Sequence, residues 1–270
     1  VPAAARLEGN AMSSLLKSIG LAAVLAASAL APALADPVRV GIAAEPYPPF
    51  ASPDSSGKWT GWEVDLAMAV CAEAKLDCVI TPVAWDGIIP ALTSSKIDAI
   101  AASMSITAER EKTIDFSDKY YNTPTAIAVP KDSDIAPTPE GLAGKIIGVQ
   151  VSTVHEVYVR KHFTDAAEIK VYQTQDEANQ DLVAGRIDAT QADSIALDAF
   201  VQSADGKACC KLAGNVAPDV EVLGPGVGFG VRKGDTALKD QLNAAIKAIR
   251  ANGKYDEITK PYFAFDMYGG

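Results

Sequence analysis

The sequence predicts an α/β protein made of two lobes around a cleft, and three observations carry that expectation. Extended and helical patterns alternate from residue 38 almost to the C-terminal end, which implies mostly parallel sheets covered by helices. The run LTSSKIDA at 92–99 returns as LVAGRIDA at 182–189, each time a helix end, a turn, a basic residue and a step into a strand. In sheets of this kind ligands bind beyond the carboxyl ends of the strands. The first repeat leads to Ser103 and Ser105 and the second to Asp193, so both would face one shared cleft. A chain of 270 residues that is 49% apolar and 21% charged has ample material for a buried core.

Taken in order, 38–42 alternates as a strand and delivers a proline-rich loop at 45–50. A turn at 57–61 precedes a helix over 62–74, with apolar residues near helical spacing. A strand at 78–83, a short helix at 86–94 and a buried strand at 97–101 follow. Thr107 is suited to cap another helix, with Glu109 in its acidic first turn. The segment 131–139 is a polar connection marked by prolines. The alternation then resumes: strand 146–150, helix 153–163, strand 169–172, helix 175–184, strand 187–191 and helix 194–202. A glycine-rich strand at 227–231 and helices at 236–251 and 254–262 close the chain.

Residues 1–35 read as dispensable to the fold. Met12 opens a stretch whose one charge is Lys17, followed by an apolar run at 19–30 and an A-x-A pattern at Ala33 and Ala35. The pattern is that of a secretion signal cut before Asp36. The run is shorter than the roughly 20 residues needed to cross a bilayer, and Pro32 breaks its end. Residues 1–11 precede Met12 and read as an expression-derived or upstream extension. Without 1–35 the chain loses Arg6, Lys17 and Glu8, leaving 22 basic and 33 acidic side chains and a net charge of −11. That acid excess excludes a general nucleic-acid binder, which needs clustered Lys and Arg.

The four cysteines suit an oxidising compartment. Cys71 and Cys78 flank a short turn, and a closed loop there would stabilise by roughly 2–3 kcal/mol. Cys209 and Cys210 are adjacent and either form a vicinal disulfide or pair otherwise, since four cysteines allow three connectivities. No spacing fits a zinc site, and His155 and His162 are too far apart for H-E-x-x-H. The GVGFG run at 226–230 lacks the strand–turn–helix setting of a dinucleotide fingerprint. No metal or cofactor is expected.

The motifs then form an ordered set. YPPF (47–50), GWEVDL (61–66), WDGIIPAL (85–92), KIDA (96–99) and SMSITAER (103–110) are followed by IDFS (114–117), GVQ (148–150), AGRID (184–188) and the ending YFAFDMYGG (262–270). Together they resemble the periplasmic amino-acid-binding proteins of ABC transporters, bacterial solute-binding family 3. The ending and the Cys71/Cys78 spacing are most similar to the lysine/arginine/ornithine- and histidine-binding branch. The resemblance covers 36–270. It implies the two-lobed type II periplasmic-binding-protein fold, with 36–125 and 226–270 forming a discontinuous first lobe and 126–225 the second. Two hinge strands would join them, and ligand binding would close the cleft. A monomer in the periplasm is implied, with an amino acid as ligand, an inner-membrane ABC permease as partner, and no catalysis.

Within that frame each site residue has a role and a blander alternative. Arg110 would take the ligand carboxylate bidentately; by itself it reads as a surface arginine in a mixed-charge run. The backbone N–H groups of Thr153 and Val154, at a helix start, would add donors from the second lobe. Asp193 would accept the ammonium, or merely cap the helix at 194. Ser103 and Ser105 would contact the same ammonium and the side chain, and Tyr47 and Trp85 would be aromatic walls able to hold a cation. Ala102 stands where the cationic branch commonly has a serine, and the loop before Tyr47 is one residue longer. Glu45 on that loop would either pair with a cationic side chain or stay solvated. Gln150 and His155 would tune the second-lobe wall. A cationic amino acid is the expected ligand, with an opine or a polar neutral amino acid such as glutamine as alternatives. A cyclohexadienyl dehydratase-like enzyme on this scaffold is a rival, with Glu45 or His155 as its acid. The sensor module of a receptor or channel is a second rival.

Overall fold

The computed structural model describes residues 36–269; the secretion signal, cleavage point and extension predicted within 1–35 lie outside the described residues. The chain lays down β1 (Val38–Ala43), the small pair β2 (Ser52–Pro53) and β3 (Trp59–Thr60), helix α1 (Trp62–Glu73) and β4 (Cys78–Val83). A 3₁₀ turn at Trp85–Gly87 runs into α2 (Ile88–Thr93), followed by β5 (Ala99–Ile100), β6 (Ile114–Tyr121) and β7 (Thr125–Pro130). Next come α3 (Pro139–Leu142), β8 (Ile146–Gln150), α4 (Val154–His162), β9 (Glu168–Tyr172), α5 (Gln175–Val183) and β10 (Ala189–Asp193). Helices α6 (Ser194–Gln202) and α7 (Ala204–Cys209) lead to β11 (Cys210–Asn215). The last elements are α8 (Val220–Leu223), β12 (Val227–Arg232), α9 (Thr236–Ala251) and α10 (Lys254–Thr259).

These strands form two five-stranded sheets of one design, in the orders β4-β1-β5-β12-β6 and β9-β8-β10-β7-β11. In the first sheet β12 runs antiparallel to both neighbours, and in the second β7 does. The other pairings are parallel, so four of five strands in each sheet point one way. Each reversed strand is the first one laid down after the chain crosses from the other sheet, through 122–124 outward and 216–226 on the return. Helices bury apolar side chains against both faces: Trp62, Leu66, Leu242 and Ile246 lie on one side of the first sheet and Ile88 and Leu92 on the other. Tyr158 and Phe163 face Leu182 and Leu197 across the second. Covered faces explain why the inner strands β7 and β12 are almost wholly buried.

The sequence repeat marks the same place in both sheets. Asp98 precedes β5 and accepts the backbone N–H of Arg39 on β1 at 3.0 Å, while its own N–H donates to the Arg39 carbonyl. Asp188 precedes β10 and does the same with Ile146 on β8, at 2.8 Å in each direction. Beside each aspartate an isoleucine caps a glycine of the neighbouring strand. A Cβ on Gly41 would stand 2.3 Å from Ile97 Cδ1, and one on Gly148 would stand 2.5 Å from Ile187 Cδ1. The repeat is therefore a device for locking a central strand to its partner, and it sets the level at which both strands end.

Two differences from the sequence reading stand out, and the cysteine pairing left open there is decided. The helix expected after Thr107 is a single 3₁₀ turn, Arg110–Lys112, whose N-cap is Glu109; Thr107 Oγ1 accepts the Arg110 N–H at 3.2 Å. The chain enters β6 at Ile114, which leaves no room for a second turn. Strands β6, β7 and β11 were not read as strands, because charges and small residues interrupt their alternation. The cysteines pair as Cys71–Cys78, tying the end of α1 to the start of β4, and as the vicinal Cys209–Cys210.

Candidate ligand-binding site

The ends of β1, β5, β8 and β10 and the loops that follow them surround two adjoining cavities. The first holds about 680 Å³ of open space, its mouth included. Eleven of the twelve expected site residues line it: Glu45, Tyr47, Trp85, Ala102, Ser103, Ser105, Arg110, Gln150, Thr153, Val154 and His155. Asp193 lines the second, which shares Tyr47, Ser103, Ser105, Val154 and His155 with the first.

The walls are held from both sheets. Trp85 follows β4, and its Nε1 donates across to the carbonyl of Val151, after β8, at 2.9 Å. Arg110 Nη1 donates to the Ser105 carbonyl at 2.8 Å and Nη2 to the Ser152 carbonyl at 3.3 Å. Its guanidinium carbon lies 5.5 Å from the Trp85 ring centre. Among the described residues Arg110 forms no ion pair, and burial lowers its pKa to about 10, so it stays charged at neutral pH. A partly buried cation whose guanidinium hydrogen bonds go only to carbonyls has donor capacity left for an anion. Thr153 caps α4, its hydroxyl donating to the Gln150 carbonyl at 2.8 Å and accepting the Glu156 N–H at 3.1 Å. The N–H groups of Thr153 and Val154 meet no described protein acceptor, which leaves them available beside Arg110.

The opposite charge sits at the other end. Asp193 caps α6 by accepting the Ile195 N–H at 2.8 Å, and Thr123 donates its hydroxyl to the second oxygen. Burial raises the Asp193 carboxyl to about 6, against the pull of those donors. The capping and cavity readings of Asp193 thus hold together. Tyr47 stacks on Phe50, with ring centres 5.7 Å apart, and its hydroxyl accepts the Asp193 N–H at 3.4 Å. Glu45 accepts the Trp85 backbone N–H at 3.0 Å, and Gln150 donates to the Gln173 carbonyl at 3.1 Å. His155 lies within 3.4 Å of the Thr125 hydroxyl; burial first, then the Arg110 charge, lowers its pKa to about 3. A neutral imidazole of that kind is no general acid at neutral pH.

Glu63, absent from the sequence-based set, is a further lining residue. It sits in the first turn of α1, where an acid is ordinarily read as a complement to the helix dipole, and that reading concealed it. Thr123 was missed because it lies in a crossing segment without periodic pattern. Among the described residues no group of three or more His, Cys, Asp or Glu gathers as a metal site, and no helix is long and apolar enough to cross a membrane.

Residues 38–265 match the sequence profile of the bacterial extracellular solute-binding proteins, family 3. This chain belongs to that family. As a family 3 solute-binding protein it is similar to the L-arginine-binding protein of Pseudomonas aeruginosa, at 43% identity over 94% of this chain and 99% of that one. It is 40% identical to the histidine-binding periplasmic protein of Escherichia coli, over 93% of this chain and 98% of the relative. Among solved structures it resembles an ancestral arginine-binding protein bound to arginine, with a TM-score of 0.76 and 37% identity over 84% of this chain and 98% of that one. These relatives are solute-binding proteins rather than enzymes.

Proposed function

We propose that this solute-binding protein is the periplasmic substrate-binding component of an amino-acid ABC importer and that its ligand is a free cationic L-α-amino acid, such as arginine, lysine, ornithine or histidine. One observation carries the reading: a partly buried guanidinium, Arg110, without an ion pair among the described residues, and a partly buried carboxyl with a raised pKa, Asp193, border adjoining cavities between aromatic walls. An α-amino acid brings the complementary carboxylate and ammonium. Arg110 and the N–H groups of Thr153 and Val154 take the carboxylate. Asp193, Ser103 and Ser105 take the ammonium, and Tyr47, Trp85 and Glu45 flank the side chain, Trp85 offering its face to a cation. Ala102 leaves room there, and Gln150 and His155 shape the far wall.

In this reading residues 36–125 and 226–270 form one lobe and 126–225 the other, and the ligand joins them because its carboxylate contacts both. Such contacts exist only in the closed state and so shift the population toward it. Residues 1–35 direct export and are removed, and the mature monomer delivers its cargo to an inner-membrane permease. Titration calorimetry tests the choice of ligand: at least one of L-arginine, L-lysine, L-ornithine and L-histidine should bind far more tightly than L-glutamine, and Arg110→Ala should weaken that binding by about 2–5 kcal/mol with an unchanged circular dichroism spectrum. Binding of glutamine with all four cationic amino acids inert would overturn the reading, as would wild-type affinity in Arg110→Ala.

A further inference from the structure

Glu63 is a buried acid, 2% exposed, with no role in the scheme above. Its two oxygens are occupied by three donors. The Ser103 N–H donates to Oε1 at 2.7 Å, the Ser103 hydroxyl to Oε2 at 3.0 Å, and the Tyr120 hydroxyl also to Oε1. Ser103 has a φ of 51°, in the left-handed region that serine seldom adopts. The paired bonds to one carboxylate hold it there. A hydroxyl has one proton and two lone pairs. With its proton directed to Glu63, the Ser103 oxygen can only accept from its remaining neighbours. Its lone pairs remain for whatever lies in the cavity.

We propose that Glu63 is a positioning residue that fixes Ser103 as an acceptor, so that the site selects a ligand bearing an ammonium, rather than a hydroxyl or carbonyl, beside Ser103. The inference rests on the proposed function, in which the ligand's α-ammonium lies among Ser103, Ser105 and Asp193. Ser103 and Asp193 would then read the same group by different means, one by direction and the other by charge.

Glu63→Gln keeps the shape and replaces an acceptor oxygen with an NH₂ donor, which releases the Ser103 proton toward the cavity. The probes are L-arginine and 2-hydroxy-5-guanidinopentanoate, in which a hydroxyl whose single proton serves only one of the acceptors Ser103 and Asp193 replaces an ammonium that serves both. Calorimetry should show the preference for arginine over the hydroxy acid falling tenfold or more in Glu63→Gln. Equal weakening of both ligands would mean a purely structural role and would overturn the proposal. Should Glu63→Gln not fold, Ser103→Ala decides the matter, since it keeps the N–H bond to Glu63 and removes the accepting oxygen; an unchanged preference there also overturns it. If wild-type protein ignores arginine and binds L-glutamine, the cationic reading alone fails. The same comparison then proceeds with L-glutamine and its 2-hydroxy counterpart, and an unchanged ratio again overturns the proposal. Binding of neither amino acid overturns both readings.

Discussion

Asp193 shows how a single residue sets stability against binding. Its carboxyl lies at about 6 in the folded chain and at 3.8 in the open chain. The folded state therefore binds this proton more tightly, and this group's contribution to stability falls as pH rises from about 4 to about 6, remaining lower above that. Asp193→Asn removes the charge while keeping a capping side chain. The ligand-free variant should melt a few degrees higher at pH 7.5, on the basis of about 1–2 kcal/mol and 2–4 °C per kcal/mol for a chain of this size. The same change should weaken amino-acid binding, and wild-type affinity should drop as pH falls below about 6, where Asp193 takes up its proton. Scanning calorimetry with and without ligand, across pH 5–8, measures both. A variant that melts lower without ligand would refute the account. The resemblance to family 3 singled out Arg110, Asp193 and the aromatic pair, which by themselves read as a surface arginine, a helix cap and loop aromatics. The sequence hid Glu63 and Thr123, whose roles come from contacts with Ser103 and Asp193 made across distant stretches.

At the scale of elements, the repeat at 92–99 and 182–189 was legible as a pattern, but its physical content was not. It locks a strand to its neighbour through an aspartate and an isoleucine seated over a glycine. Gly41→Ala should destabilise by about 1–3 kcal/mol through overpacking against Ile97 Cδ1. Ile97→Val, which deletes that carbon, should cost about 0.5–1.5 kcal/mol alone. The two changes together should cost clearly less than their sum, a coupling that urea denaturation of the four proteins resolves. Simple additivity would show that the close approach is not what requires the glycine. Strands β1, β4, β8 and β9 were legible because each is a short run rich in valine and isoleucine bounded by turn or helical patterns. Strand β6 was not, since Asp115, Asp118 and Lys119 break its pattern. Its pairing with β12, more than a hundred residues away, is a non-local fact that no window of sequence contains.

At the scale of the whole molecule, the two sheets differ in how the chain supplies them. All strands of the second come from 125–215, whereas the first needs β12 between β5 and β6. Contacts at short separation form sooner than those that close long loops. Pulse-labelled hydrogen exchange during refolding should therefore protect the amides of β8, β9 and β10 before those of β5 and β12. Simultaneous protection of both sheets would count against this order. The reversed strand β12 also has a consequence for biosynthesis. Synthesised from the N-terminus, the nascent chain emerges with two strands that have an empty slot between them, and the filler arrives only when residues 227–232 are made. At roughly 5–20 residues per second the unpaired edges of β5 and β6 stay open for about 5–20 s, a standing invitation to mispairing. Whatever keeps this chain from aggregating must act over that interval, and it must hold the half made first rather than the half made last.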